Sequence, residues 1–282
     1  MNNYKQLTII LVAYKSEKKI ISFINKIPKK LKVIIIENSK NYLLKKKLEK
    51  KYKNIKVFVK ENEGVSSSIN YAVKKIKTNY FLQISPDIIF NYNDISVFFK
   101  YAKKLDDRFS ALGPRFTNVN EKSHIQINKN INIGEINSVH GSCMFINKKR
   151  FNEIGRFDKN FFLYFEETEY CYRAKKKNLK SYQINKIKVK SKGRTVLIKN
   201  RIEKKKLNNI LIWHFIWSKY YYSKKRFGKL VSLMIFIPII IRTNFKILIN
   251  KLANNKEKLE KYKIRLDGLM TSIKGKKSSL RP

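Results

Sequence analysis

A doubly wound α/β fold with a mostly parallel sheet, extended at its C-terminus by helices, is what this 282-residue sequence predicts. Three observations carry the expectation. The first ninety residues alternate between short β-branched runs and stretches of helical period. Those runs are continuously apolar, as strands buried on both faces are. Beyond about residue 199 the pattern gives way to long basic and aromatic segments. The expected division is therefore 1–198 for the α/β domain and 199–282 for a basic, aromatic helical tail.

Element by element, Leu7–Val12 reads as a buried strand, and from Ser16 the residues Ile20, Phe23, Ile24 and Ile27 mark one helical face that Ser16 can cap. Val33–Ile36 is a second buried strand, Asn41–Tyr52 a Lys- and Leu-rich helix, and Ile55–Val59 a third strand. Val65, Ile69, Ala72 and Ile76 mark a helix after Gly64, and Tyr80–Ile84 a fourth strand stopped by Pro86, which cannot donate to a ladder. Strands alternating with helices imply parallel pairing through crossovers. Further on, Asp94–Leu105 reads as a helix, Ala111–Pro114 as a short strand and turn, and Arg115–Asn137 as a polar loop. Val139–Ile146 is strand-like after Gly141, Lys148–Ile154 and Glu166–Lys177 are helical, and Ser181–Val189 alternates like an edge strand. The last residues, from Gly268, read as a frayed end.

Composition narrows the partners. Lys and Arg total 64 against 20 Asp and Glu, a net charge of +44, and the apolar share of 43% excludes a wholly disordered chain. Such a field favours nucleic acid, phosphorylated small molecules or an acidic membrane surface without choosing among them. The basic residues are spread along the whole chain and no recognition module is present, so no nucleic-acid partner is expected, although a nucleic-acid-binding basic protein is the alternative that the charge invites. Cys143 and Cys171 have neither CxxC spacing nor a nearby His cluster, which argues against a zinc or disulfide framework and for a reducing cytosol. The N-terminus is too polar for a secretory signal. The longest uncharged run, from Leu230 to Ile241, falls short of the roughly 20 residues of a membrane span, so no crossing is expected. Residues 199–282 hold 22 Lys and Arg against 4 Asp and Glu, together with Trp213, Trp217 and the tyrosines 220–222. Basic clusters bracketing apolar and aromatic stretches describe helices lying in an anionic membrane interface. A helical subdomain packed on the sheet has the same composition.

In open parallel sheets ligands bind beyond the carboxyl ends of the strands. The residues that follow each strand here are Ala13-Tyr14-Lys15, Glu37-Asn38-Ser39, Glu61-Asn62-Glu63-Gly64 and Ser85-Pro86-Asp87, so polar and acidic groups gather on one edge. Gly64 permits close approach or a left-handed turn before a helix, and equally suits a simple helix entry. Arg173 stands four residues after Glu169, the spacing of a helix-face ion pair.

Four segments together resemble the family 2 glycosyltransferases, an inverting family with the GT-A fold: TIILVAYKSEK, KVIIIENSKN, NEGVSSSINYAV with YFLQISPD, and GSCMFINKKRFNEIGRFDKNFFLYFEETEYCYRAKKKN. The likeness covers roughly residues 5–195. The tail, with WHFIWSKYYYSKKRFG, is similar to that of rhamnosyltransferase-type members acting on bacterial surface polysaccharides. The resemblance implies transfer of a sugar, rhamnose for the narrower likeness, from a UDP- or dTDP-linked donor to a glycan or lipid-linked acceptor. The enzyme would be cytoplasmic and peripheral on the inner face of the plasma membrane.

That chemistry needs a base for the acceptor hydroxyl and something to offset charge on the departing diphosphate. The family's acidic pair maps onto Glu166 and Glu167, the second being the base. Asp87 matches the aspartate that contacts the nucleotide diphosphate and its Mg2+ or Mn2+ ion, although Ser85 stands where a fuller motif has a second carboxylate. Ala13 and Tyr14 would edge the nucleotide base, Glu37 would contact base or ribose, and Asn62 and Gly64 fit an Asn-x-Gly turn. His140 and Gly141 would face acceptor or diphosphate. Relatives often carry a His near Lys188–Thr195; this chain has none, and Lys190, Lys192 or Arg194 could supply the positive charge. These departures leave a catalytically degenerate scaffold as a further alternative.

Overall fold

The computed structural model describes residues 3–118, 125–193, 196 and 200–282, and these form two compact units. The first comprises residues 1–158 and 166–197, the second 159–165 and 198–282.

The first unit is a mixed, mostly parallel sheet with helices on both faces. Its strands are β1 (Leu7–Ala13), β2 (Lys32–Glu37), β3 (Ile55–Val59), β4 (Tyr80–Ile84), β5 (Ile88–Ile89), β6 (Phe109–Phe116), β7 (Ile133–Ile136), β8 (Cys143–Asn147) and β9 (Lys180–Ser191). They lie in the order β3-β2-β1-β4-β8-β6-β9-β5, with β7 also on β9. β1 to β4 are mutually parallel, β8 runs antiparallel between β4 and β6, and β9 is parallel to β6. Because side chains alternate across a strand, the continuous apolar runs feed two cores. Leu7, Ile9 and Leu11 meet α1 (Glu17–Ile24), α2 (Tyr42–Lys51) and α4 (Ile95–Lys104) on one face. Ile10, Ile34 and Ile36 meet α3 (Val65–Lys75), α5 (Lys148–Ile154) and α6 (Glu166–Lys176) on the other.

Several local expectations change. Ser16 precedes α1, yet its hydroxyl is buried with no partner and makes no cap. Asparagine does this work elsewhere: Asn41 accepts from the Leu44 amide at 2.8 Å, and Asn147 from those of Lys149 and Arg150. An asparagine carbonyl reaches the second or third amide of a helix as well as a serine does. β9 is not an edge, since β6 lies on one side and β7 and β5 on the other. Its alternation reports which face meets water, not which ladder partners exist. The stretch expected as a loop contains β7, whose residues are only half-buried at best. β6 is longer than expected and buried throughout. Cys143 and Cys171 are free and buried.

The second unit packs α7 (Arg201–Phe227), α8 (Lys229–Leu252) and α9 (Lys256–Ile273) with the segment 159–165. Its core joins Ile216 and Tyr220 of α7, Phe236 of α8 and Leu269 of α9. Trp213 donates its indole N–H to Asp267 at 2.7 Å, and Trp217 donates to the Lys276 carbonyl. The aromatic residues Trp213, Trp217 and Tyr220, whose composition suggested membrane anchors, are thus interior. The chain does not fray at Gly268, which is buried within α9. α8 runs past Arg242 to Leu252 and is long and apolar enough to cross a membrane by length and composition, which the count ending at Ile241 missed.

His214 lies inside this unit, stacked on Phe162 at 4.6 Å. Its Nε2–H donates to the Leu280 carbonyl at 2.7 Å, and the Ser278 hydroxyl donates to Nδ1 at 3.2 Å, an arrangement satisfied by the neutral ring. Burial, with the positive Arg281 adding to it, lowers its pKa to about 4. A folded value below the unfolded one means that the unfolded chain binds more protons as pH falls from about 6.5 to about 4. Stability of this unit is expected to drop by about 3 kcal/mol across that window. Urea midpoints measured against pH should show the slope, and His214→Gln should flatten it.

Candidate active site

The site is assembled where β1, β2 and β4 end, together with the turn before β8 and the start of α6. The Ala13 carbonyl accepts from the Asn38 amide at 2.8 Å, so the first two strand ends are locked side by side. Tyr14 is half-buried beside Lys15, whose amide donates to the Ser39 hydroxyl at 3.2 Å. Glu37 is 1% exposed. Its carboxylate accepts from the amides of Ser39 and Asn41, at 3.0 and 2.8 Å, and from the Ser39 hydroxyl. It therefore holds the β2–α2 turn in shape beneath the surface of that strand end.

Gly64 enters α3 with φ +92° and ψ 176°. Only glycine occupies that region without strain, so the left-handed entry is the alternative realised. The Asn62 side chain accepts from the Gly64 amide at 3.3 Å, and the Gly64 carbonyl accepts from Ser68, whose hydroxyl also receives the Asn38 amide group. This links the ends of β2 and β3 through residues that spacing alone did not single out. Gly64→Ala is expected to cost about 1–3 kcal/mol, read as a lowered urea midpoint.

Asp87 follows β4 and is 8% exposed. The Ser191 hydroxyl donates to its Oδ2 at 2.7 Å, and the Lys192 amide donates to its carbonyl at 2.8 Å. The antiparallel pairing of β5 with β9 makes this contact, setting Ile88 opposite Ser191. The basic KVKSK segment thus reaches Asp87, whereas Arg194 lies outside the described residues. Ser191 was not expected from sequence, since a register 104 residues apart leaves no local signal.

Asp87 is tied to the acidic pair through the turn His140-Gly141-Ser142. The Ser85 amide donates to the Ser142 carbonyl at 2.9 Å, and Gln83 donates to the Gly141 carbonyl at 2.5 Å. His140 stacks near Phe116 and accepts at Nδ1 from the Ser142 amide. Gly141 faces Glu167 closely: a Cβ there would stand 3.3 Å from the Glu167 carboxyl carbon. A side chain at 141 would therefore push on the carboxylate.

Glu166 and Glu167 open α6, directly after Tyr164 and Phe165, both with φ +68°. Left-handed backbone at two successive aromatic residues is costly and clusters at functional sites. Burial raises the pKa of both carboxyls above the ordinary range. Their surroundings differ. At Glu167 the nearby backbone amides of its own residue, Thr168 and Gly141 favour the charged form and offset part of that rise. Glu166 has only its own amide and suffers the Glu167 charge. Two carboxyls so buried and so close do not ionise independently, so the pair titrates as a unit above the ordinary carboxylate range. Glu167 Oε2 is shielded and has no hydrogen-bond partner.

Arg173 pairs with Glu169 at 2.9 Å and also donates to the carbonyls of Ile154, Gly155 and Arg156. It clamps the loop after α5 to α6 and so steadies the helix that carries the acidic pair.

Among the described residues no group of three or more His, Cys, Asp or Glu forms a ready-made cation cage. Asp87 supplies one carboxylate beside a hydroxyl. That donor set fits Mg2+ or Mn2+ only where most ligands come from a bound diphosphate and water, a usual arrangement for Mg2+.

Comparison with known proteins bears on family and fold. The profile of the family described as "Glycosyl transferase family 2" matches residues 8–173. The chain is 28% identical over 196 residues to the "Low-salt glycan biosynthesis hexosyltransferase Agl10" of Haloferax volcanii, covering 61% of this chain and 62% of that protein. An "Uncharacterized glycosyltransferase" of Rickettsia felis is 32% identical over 118 residues, which are 37% of this chain and 20% of the relative. The chain therefore spans less than two thirds of the length of these relatives. Among solved structures, GalNAc-T7 with UDP, GalNAc and Mn2+ superposes with a TM-score of 0.55 at 14% identity, over 78% of this chain and 50% of that one. TarS of S. aureus superposes with a TM-score of 0.50 at 14% identity, over 79% and 44%. At this identity the superpositions show the shared fold.

Proposed function

The chain belongs to glycosyl transferase family 2, and we propose that it moves a hexose from a nucleoside diphosphate donor to an acceptor hydroxyl with inversion, Glu167 serving as base. The observation that carries this is a buried acidic pair at the start of α6, with Glu167 lying against the Gly141 turn and its Oε2 without a hydrogen-bond partner.

In the step, the acceptor oxygen attacks the anomeric carbon and passes its proton to Glu167 Oε2 as the bond to the diphosphate oxygen breaks. Glu166, beside it, can orient a sugar hydroxyl. The strand ends at Ala13 and Tyr14, with Asn62 and Gly64, form the nucleotide side, and the buried Glu37 supports it from beneath through the β2–α2 turn instead of touching base or ribose. Asp87 faces the diphosphate, held there by Ser191, and His140 with Gly141 borders the acceptor. Asp87 would hold a Mg2+ or Mn2+ ion, which would supply positive charge against that of the departing diphosphate.

The name of the archaeal relative supports a hexose, and the UDP and Mn2+ of the GalNAc-T7 structure support a UDP-linked donor with a divalent ion. Within that class we favour rhamnose or another hexose, UDP- or dTDP-linked, and an acceptor glycan or lipid-linked saccharide of the cell envelope, met at the inner face of the plasma membrane. A thermal-shift screen of nucleotide sugars tests the reading. The true donor at about 100 times its Kd should stabilise the chain by about 2.7 kcal/mol, and transfer to a saccharide should follow. If no nucleotide sugar shifts the midpoint while RNA or DNA binds with steep salt dependence, the proposal fails.

A further inference from the structure

The helix α8 has two apolar faces, and only one is covered within its unit. Ser232, Phe236 and Thr243 are buried: Phe236 meets Tyr220 of α7 edge-on, and the Ser232 hydroxyl bonds Ser223. On the other side Leu230, Met234, Ile237, Ile241, Phe245, Leu248 and Leu252 are 44–79% exposed. Their spacing of three and four residues makes one stripe along all 24 residues of the helix. No acidic residue occurs in α8, while Lys229, Arg242 and Lys251 are exposed at the margins of the stripe. Exposed apolar patches of this extent mark an interaction surface.

We propose that this stripe beds in an anionic lipid bilayer with the axis of α8 in the plane of the surface. The inference deepens the membrane location proposed above and is independent of the reaction performed by the first unit. Charge selects the occupant. A second copy would bring like faces together, each bordered only by cations on a tail with 22 Lys and Arg against 4 Asp and Glu. Anionic headgroups instead complement those cations. The in-plane orientation follows from Arg242, the fourteenth residue of the helix, which a transmembrane course would hold near mid-bilayer. Lying flat, the long Arg242 and Lys251 side chains reach the headgroups.

The full chain should sediment with phosphatidylcholine vesicles containing 30% phosphatidylserine about tenfold or more better than with phosphatidylcholine alone, and less in high salt. Ile237→Glu with Ile241→Glu should weaken that binding about tenfold or more with an unchanged thermal midpoint. Should that pair unfold the unit, Ile237→Ser with Ile241→Ser gives the same reading more mildly. Leu43→Glu, an equally exposed apolar site on α2, should change nothing. Alkaline carbonate should release bound protein. Undiminished sedimentation of the stripe variants overturns the proposal. So does a parent dimer that the variants split while lipid binding persists, which would make the stripe a contact between copies. Retention after carbonate overturns the in-plane orientation.

Discussion

Glu167→Gln is expected to lower kcat by about 10²–10⁴-fold, the usual contribution of a general base, with KM for the donor nearly unchanged. The substitution keeps the side-chain volume, so the close approach of Gly141, 3.3 Å from a built Cβ to the carboxyl carbon, survives. What disappears is the ability to receive a proton at Oε2. Steady-state transfer assays with the parent and the variant, each checked by its thermal midpoint, measure the effect. The parent should lose activity as pH falls, because the base works only when ionised. Burial raises the pKa of Glu167, so this acid limb should lie above the ordinary carboxylate range near 4.3. In the variant the limb should vanish with the activity. Equal turnover in parent and variant would show that the proton goes elsewhere, and no turnover in either would favour a degenerate scaffold.

The second large effect belongs to Asp87. Asp87→Asn should reduce kcat/KM by about 10²–10³-fold, the scale of losing one electrostatic contact to a developing charge. Asparagine can still accept the bond that Ser191 gives to Oδ2, so a loss of this size reports charge rather than misfolding. Ser191→Ala should act more weakly and mainly through orientation. Chelation should depress the parent far more than it depresses Asp87→Asn. Full activity of the parent in chelator would transfer the leaving-group role to the basic segment around Lys190 and Lys192, whose backbone already meets Asp87.

Much of the first unit was legible because its signals are local. Runs such as VIII at residues 33–36 cannot face water on either side, and the helices α3, α5 and α6 follow from apolar spacing and end signals. Strand-end logic also anticipated that loops carrying Tyr14, Glu37, Asn62 and Asp87 lie on one edge, since parallel topology forces them there. β7 was missed because a half-exposed strand carries little apolar pattern. Ser191 and Gln83 were missed because their roles depend on register, which no neighbouring residue announces.

The second unit shows the boundary most plainly. Composition showed residues 199–282 to be basic and aromatic, and left open whether helices there meet a membrane or pack on the sheet. It could not say which apolar residues lie inside. Trp213, Trp217 and Tyr220 went to the interior, where the two indole N–H groups find acceptors, and the α8 stripe stayed outside. Likewise the sequence determined that Glu166 and Glu167 are adjacent, but tertiary structure buried both and brought Gly141 from a distant turn against Glu167. Periodicity reports only whether a face is apolar. Which of two apolar faces is covered, and which distant turn lies against an acidic pair, depends on partners brought together by the folded chain.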